Sequence, residues 1–196
     1  MEKGLGMLET FHVAKEDIIH IEEERLRSVT KEILMTQGIS EKDALLATDA
    51  LIKADLRGVE SHGVSNMLRA YLGAFKSNSL NPKPNWKIVK ETASCATINS
   101  DNGLGIVVAP QAMEIAVEKA KKTGAGIVTM NNCGHLGMLA YHSMIASDND
   151  MIGTTMAACS PRMVPTYSSV RALGTNPISY SAPADKLPDF VFDAAM

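Results

Sequence analysis

The sequence predicts an α/β fold, with a helical N-terminal region over residues 1–84 and part of an α/β domain over residues 85–196. Three observations predict it. Up to about residue 76 the apolar residues recur at helix spacing. Asn81-Pro82-Lys83-Pro84 then breaks any helix and reads as a connection. Beyond it, short apolar runs alternate with helix-length segments, and this strand, helix, strand order predicts some parallel pairing.

The elements follow in order. Leu26, Val29 and Ile33 give a helix over residues 16–37, with Gly38 where a C-terminal cap belongs. Ser40 followed by Asp43 resembles a capping box and starts a second helix, whose narrow apolar face is Ala44, Ala47, Leu51 and Ala54. It runs to about Leu56 and delivers Asp55-Leu56-Arg57-Gly58 into a loop. A third helix covers residues 64–76. After the proline break, residues 94–98 read as a strand and Asp101-Asn102-Gly103 as its turn. Residues 105–122 form a helix in which Pro110 is tolerable only near the first turn. Lys119, Lys121 and Lys122 favour its C-terminal dipole, and Gly124-Ala125-Gly126 closes it. A short buried strand over 125–130, a helix over 136–147 and strands over 152–158 and 178–181 complete the pattern. An apolar run leading into Phe192-Asp193-Ala194-Ala195-Met196 reads as one more strand.

Composition narrows the function classes. The 196 residues are 45% hydrophobic and 21% charged, as in a soluble globular protein of one or two domains. A net charge of -3 gives no basic face, so a nucleic-acid partner has no electrostatic support and an enzyme of small metabolites fits better. Cys95, Cys133 and Cys159 are odd in number and far apart, which argues for a reducing compartment. No apolar run is long enough to cross a bilayer, and the first residues lack the apolar stretch of a signal peptide. The expected location is the cytoplasm, with no membrane partner.

Three segments carry polar groups among small or turn-forming residues: Ser61-His62-Gly63, Asn131-Asn132-Cys133-Gly134-His135-Leu136-Gly137 and Gly174-Thr175-Asn176-Pro177. His135 is expected at or beside the first turn of a helix, at the carboxyl end of a strand, where ligands of open α/β sheets sit. The positive helix end would favour a neutral imidazole, able to accept a hydroxyl proton. The alternative is that His135 caps the helix or bonds a loop carbonyl. Ser61-His62-Gly63, taken in isolation, reads first as a plain N-cap at Ser61 with His62 exposed in the first turn; the functional alternative is a hydroxyl that joins His62 and Arg69 in holding a carboxylate or a nicotinamide ring. Gly174-Thr175-Asn176-Pro177, taken alone, is a turn before a strand.

Other chemistries fit poorly. Val59-Glu60-Ser61-His62-Gly63 is not the G-x-S-x-G elbow of a serine hydrolase. Gly103-Leu104-Gly105 lacks the third glycine of a dinucleotide fingerprint, and there is no P-loop. Cys133 has no second Cys or His pair at ligand spacing, and His142 lies two helical turns from His135, so no metal site is expected.

The stretch Ala54-Asp55-Leu56-Arg57-Gly58-Val59-Glu60-Ser61-His62-Gly63, the segment Gly134-His135-Leu136-Gly137, and Leu173-Gly174-Thr175-Asn176-Pro177 with Asp193-Ala194-Ala195 resemble the type 2 malate/L-lactate dehydrogenase family. That family also contains ureidoglycolate, sulfolactate and cyclic-imine-carboxylate oxidoreductases. The resemblance runs from about Phe11 to the last residue. It implies an α/β fold that is not a Rossmann domain, a homodimer or larger assembly, and hydride transfer between NAD or NADP and a small 2-hydroxy or 2-oxo acid such as malate or lactate. His135 matches the family's acid-base histidine, and His62 with Ser61 the loop beside nicotinamide and substrate. Ser160 matches a cofactor-contacting serine, and Asp193, Ala194 and Ala195 match the segment that meets the dinucleotide.

Two departures stand out. Many members carry an arginine where this chain has Asn66, and Arg69 would have to supply that charge from the next helical turn. Members also continue well beyond the Asp-Ala motif. The chain is therefore expected to be a C-terminally truncated oxidoreductase, the alternative being a non-catalytic dimerisation partner of a full-length enzyme.

Overall fold

A computed structural model describes residues 19–195. The first residues read for a signal peptide, and positions 16–18 of the first predicted helix, lie outside the described residues.

Helix α1 spans Glu23–Met35. It begins later than the sequence predicts, and the predicted stripe is rotated. Thr30 and Leu34 are buried, Leu26 and Ile33 only half-buried, and Val29 is exposed. Spacing gives the periodicity of a helix; which way it is turned is decided by the partner it packs on, here α2, Glu41–Leu56. Gly38 adopts φ +87°, the left-handed conformation that ends a helix. Ser40 then caps α2 reciprocally: its Oγ accepts the Asp43 amide at 3.2 Å and donates to Asp43 Oδ2 at 2.8 Å. Ala44, Ala47, Leu51 and Ala54 are all buried, as predicted. A short helical turn, Glu60–His62, leads into α3, Val64–Lys76.

Beyond the proline connection lies a strand the sequence does not announce, β1, Lys87–Glu91, exposed at every position. Its Ile88 and Val89 are adjacent rather than alternating, so no period-two signal marks it. It pairs antiparallel with β2, Cys95–Asn99, which pairs parallel with β3, Ile127–Asn131. Among the described strands only this pair is parallel, beside an isolated parallel bridge between Asn81 and Gly103. Helix α4, Gly105–Thr123, makes the crossover between β2 and β3 and ends on Gly124 at φ +84°. Two expectations need correction. Pro110 lies in the second turn of α4, inside a fully buried run from Gly105 to Pro110, where core packing outweighs the lost backbone hydrogen bond. And β3 is not a buried strand: it sits at a sheet edge with alternating half-exposed residues.

Helix α5 spans Leu139–Ser147, three residues later than predicted. A second, antiparallel sheet follows, β4 Gly153–Met156, β5 Ile178–Ala182 and β6 Phe190–Ala194, with β5 central. Its inner face packs on α5 through Ser179, Ser181 and Val191. The main core joins Leu34, Leu51 and Tyr71 to Leu104, Ile106, Met138 and Tyr141, so residues on both sides of the proline break share it. Among the described residues no helix is long and apolar enough to cross a membrane.

Candidate active site

The loop after β3 is clamped before it reaches α5. The Gly134 amide donates to the Gly103 carbonyl at 2.9 Å, and a methyl group on Gly134 would press on Leu80 at 2.5 Å. Gly105, at the start of α4, leaves room for the carbonyls of Gly134 and His135. One residue further on, the Leu136 carbonyl accepts a hydrogen bond from Nε2 of His142 at 2.7 Å. His142 is 1% exposed, and since its Nε2 must donate to a carbonyl, its partnerless Nδ1 holds a lone pair.

His135 therefore stands on a loop, not in the first turn of a helix, and the dipole argument does not apply to it. α5 begins four residues later, at Leu139. The ring is nevertheless kept neutral: burial of its packed side, then the nearby charges of His62 and Arg162, push its pKa down to about 4. The residue as a whole remains exposed, so the enclosure falls on the side that meets its neighbours. Its Nδ1 lies 2.9 Å from the Tyr71 hydroxyl and 3.3 Å from the Gly137 amide. Nε2 takes no hydrogen bond among the described residues. The alternative that His135 bonds a loop carbonyl or caps a helix finds no such contact.

The rings of His62 and His135 stack at 5.4 Å with 18° between their planes. Ser61 is not an N-cap and His62 is not a free surface residue. Ser61 Oγ shares a 2.8 Å hydrogen bond with His62 Nδ1, and both residues are half-buried. The cap of α3 comes instead from Asp55, whose Oδ2 accepts the Val64 amide at 2.9 Å. Gly63 is required because a methyl group there would run into the Asp55 carboxyl group. Burial lowers the His62 pKa, and Asp193 pulls it back up.

Asp193 comes from β6, and its Oδ2 accepts the Ala140 amide at 2.7 Å at the N-terminus of α5. The residue is exposed overall, yet its carboxyl is enclosed enough that burial raises its pKa against the Ala140 amide, His62 and the Leu139 amide. One carboxylate thus bonds a helix start and acts on an imidazole through its charge. β4 and β6 both run antiparallel to β5, so their C-terminal ends lie together. Ser160 follows one end, and Ala194 and Ala195 the other. Gly174-Thr175-Asn176-Pro177 is more than a turn. Asn176 Oδ1 accepts the Cys159 amide at 3.1 Å, and Gly174 packs against the Cys159 carbonyl, fixing the chain that carries exposed Ser160.

The structure brings together Ser61, His62, His135 and Asp193, and directs the ends carrying Ser160, Ala194 and Ala195 from one edge of the sheet. It does not bring in Arg69. That residue is exposed on α3, two positions or about 200° round the helix from Tyr71, which faces His135. Asn66 supplies no charge; its amide donates to the Glu60 carbonyl at 2.8 Å and ties α3 to the turn holding His62. The cation that faces His135 is Arg162, two residues after Ser160. It and Tyr71 escape a reading of the sequence. Nothing local links Tyr71 to a partner 64 residues away, whereas a cation beside the segment Cys159-Ser160-Pro161 is a signal that could have been used. Cys133 is half-buried with its thiol pKa raised by burial, and among the described residues no three His, Cys, Asp or Glu side chains cluster as metal ligands.

Comparison with known proteins gives one answer. The sequence model of the malate/L-lactate dehydrogenase family matches residues 21–196. A malate dehydrogenase of Pyrococcus abyssi is 41% identical over 180 residues, 92% of this chain and 49% of its own length. An L-sulfolactate dehydrogenase of Methanocaldococcus jannaschii is 41% identical over 155 residues, 79% of this chain and 45% of its own. The solved malate dehydrogenase of Pyrococcus horikoshii OT3 superposes with a TM-score of 0.89 at 40% identity, covering 94% of this chain and 52% of that one. The chain thus spans about half the length of the relatives it matches.

Proposed function

Since this chain belongs to the malate/L-lactate dehydrogenase family, we propose that it serves as a nicotinamide-dependent oxidoreductase interconverting small 2-hydroxy and 2-oxo acids. The observation that carries the reading is the stacked His62–His135 pair, with Ser61 and Asp193 on one ring and the other ring's Nε2 without a protein partner. A stacked pair of imidazoles, one half-buried and the other enclosed on its packed side, with separate partners, is costly to assemble for packing alone, and proton transfer is the chemistry it suits.

His135 exchanges a proton with the substrate oxygen through Nε2, because Nδ1 is occupied by Tyr71 and Gly137. In the reductive direction the imidazolium, protonated at Nδ1 as the substrate carboxylate arrives, gives its Nε2 proton to the oxygen and is left neutral with Nδ1–H as C2 of the 2-oxo acid gains a hydride; oxidation reverses both transfers, Nε2 then taking the hydroxyl proton. When bound, the dinucleotide supplies or takes the hydride at C2. Arg162 gives a substrate carboxylate its counter-charge, and that carboxylate in turn relieves the repulsion that keeps His135 unprotonated. His62, held by Ser61 and felt by the Asp193 charge, orients the reacting groups from the facing side.

The exposed residues at the sheet edge fit the nicotinamide and ribose end of such a cofactor. The Ser160 hydroxyl makes no hydrogen bond among the described residues, and Ala194 and Ala195 offer backbone groups beside a carboxylate. These are the neutral donors and acceptors that a carboxamide and ribose hydroxyls pair with. A homodimer, a cytoplasmic setting and either NAD or NADP belong to the same reading.

The test is oxidation of NADH and of NADPH across a panel of 2-oxo acids, by the chain alone and supplied with the other half of a family member. His135→Ala should lower kcat by about a hundred- to ten-thousandfold and leave dinucleotide binding intact. Folded protein that binds the dinucleotide and turns over nothing in either preparation would shift the reading to a non-catalytic partner. Sedimentation of the same sample reads the assembly.

A further inference from the structure

Tyr71 touches the site at one point. Its hydroxyl lies 2.9 Å from His135 Nδ1, its side chain is 2% exposed, and burial pushes its ionisation well above the usual phenol range. It therefore keeps its proton. From the other side Gly137 aims its amide N–H at the same nitrogen from 3.3 Å. It does so from φ +67°, and a side chain there would press on Ile106, so the position calls for glycine. A backbone amide can only donate. Nδ1 must then hold a lone pair, and the Tyr71 O–H is its second donor.

We infer that Tyr71 is a positioning residue that fixes the neutral His135 ring with its proton on Nε2, presenting an N–H donor to the substrate oxygen. The inference rests on the acid-base role proposed for His135 but concerns the ring itself.

The choice of a phenol has consequences. A carboxylate at this place could only accept; it would draw the ring proton to Nδ1 and favour the charged imidazolium. A hydroxyl donates to the neutral ring and, once the ring is protonated, turns a lone pair to the new Nδ1–H. The ring thus takes its second proton at Nδ1 and gives the one at Nε2 to the substrate oxygen, with Tyr71 bonded to Nδ1 before and after the transfer. Besides Tyr71, the charged and titratable groups that act on the ring among the described residues are His62, from the turn before α3, and Arg162, from the chain after β4, and neither is an anion. The proton's place on the ring is thus left to Tyr71 and Gly137. The geometry also explains why the ring awaits an anionic ligand: the imidazolium gains a counter-charge only when a substrate carboxylate arrives.

The experiment is histidine 15N NMR on the chain above pH 7, with His135 assigned by the signals missing from His135→Ala, and a parallel sample of Tyr71→Phe. The wild-type ring should show a protonated Nε2 and an unprotonated Nδ1. Removing one donor of the two should relax that preference by about three- to tenfold in the tautomer ratio, the worth of one hydrogen bond. A wild-type ring protonated on Nδ1 overturns the inference, with or without a folded variant, and so does an unchanged ratio in a folded Tyr71→Phe. In turnover the same variant should lower kcat and leave KM for the dinucleotide unmoved. If the ring is protonated on Nε2 and shifts as stated while no dinucleotide binds, the dehydrogenase reading fails and the assignment to Tyr71 stands.

Discussion

Removing one hydroxyl, Ser143→Ala, should destabilise this protein more than removing three. Ser143 on α5 and Ser179 and Ser181 on β5 are each 0% exposed. Ser143 Oγ lies 2.8 Å from Ser179 Oγ and 2.7 Å from Ser181 Oγ, and 3.3 Å from the Ala140 carbonyl. Among the described residues the two β5 hydroxyls have no other side-chain or backbone partner. Ser143→Ala leaves both buried and unsatisfied, at about 1–3 kcal/mol each, so a loss of about 2–5 kcal/mol is expected. Replacing all three by alanine removes donors and acceptors together and leaves only small voids, so the triple variant should lie within about 1 kcal/mol of wild type. Urea unfolding followed by circular dichroism measures both, with the slope m checked for constancy. In heating scans the single variant should melt roughly 5–15 °C lower. If the triple variant is as unstable as the single one, or the single variant costs under about 0.5 kcal/mol, then the three hydroxyls are not a closed network and the account of how α5 is held on the second sheet is wrong.

Other outcomes follow from the site. Asp193→Asn keeps an acceptor for the Ala140 amide and removes a charge that burial disfavours on balance, so stability should fall by less than about 1 kcal/mol; in the same variant His62 loses the one group that raises its pKa, and NMR titration should find it lower still. His142 sits fully buried with its folded pKa lowered by burial, so the unfolded chain takes up a proton that the folded one refuses. Stability then rises with pH below the unfolded value of about 6.5, and is level above it. Asp55 and Asp193, whose pKa values are raised, pull the other way at the acid end. The clean measurement is therefore a difference: from pH 7 to pH 5 wild type should lose more stability than His142→Gln, with a slope of up to about 1.4 kcal/mol per pH unit, and parallel curves would refute it.

How much of this was legible depends on the range of the forces involved. Caps and closures were readable because they are made within a few residues: Ser40 with Asp43, Gly38 and Gly124 each behave as their neighbours in sequence demand. The four residues of the predicted α2 face were readable, though the helix is enclosed widely enough that Thr48, Ala50 and Ile52 are buried as well. Strand β1 was not, because an exposed Lys-Ile-Val-Lys-Glu run has no buried face to leave a period. The rotation of α1 and the late start of α5 were hidden for a related reason: each is set by what packs against it. In the site, the two histidines stood out as polar residues among glycines, and each of those glycines proves to sit where a side chain would collide or the backbone is left-handed. Nearness in sequence to Ser61 and His62 pointed to Arg69 and passed over Arg162, since a sequence gives no side of a helix to a charge without an apolar stripe to fix it.

The sequence by itself determined the class of fold, the family and the histidines, since local conformation and short motifs are written in neighbouring residues. Only the tertiary structure decided what those histidines can do. It stacked His62 on His135, brought Tyr71 from α3 to Nδ1, carried Asp193 across to the start of α5 and replaced a helix dipole with burial and positive neighbours as the reason for a neutral ring. Each of these is a contact between residues remote in the chain, and protonation depends on the distance and enclosure of such neighbours, which no spacing in a sequence records.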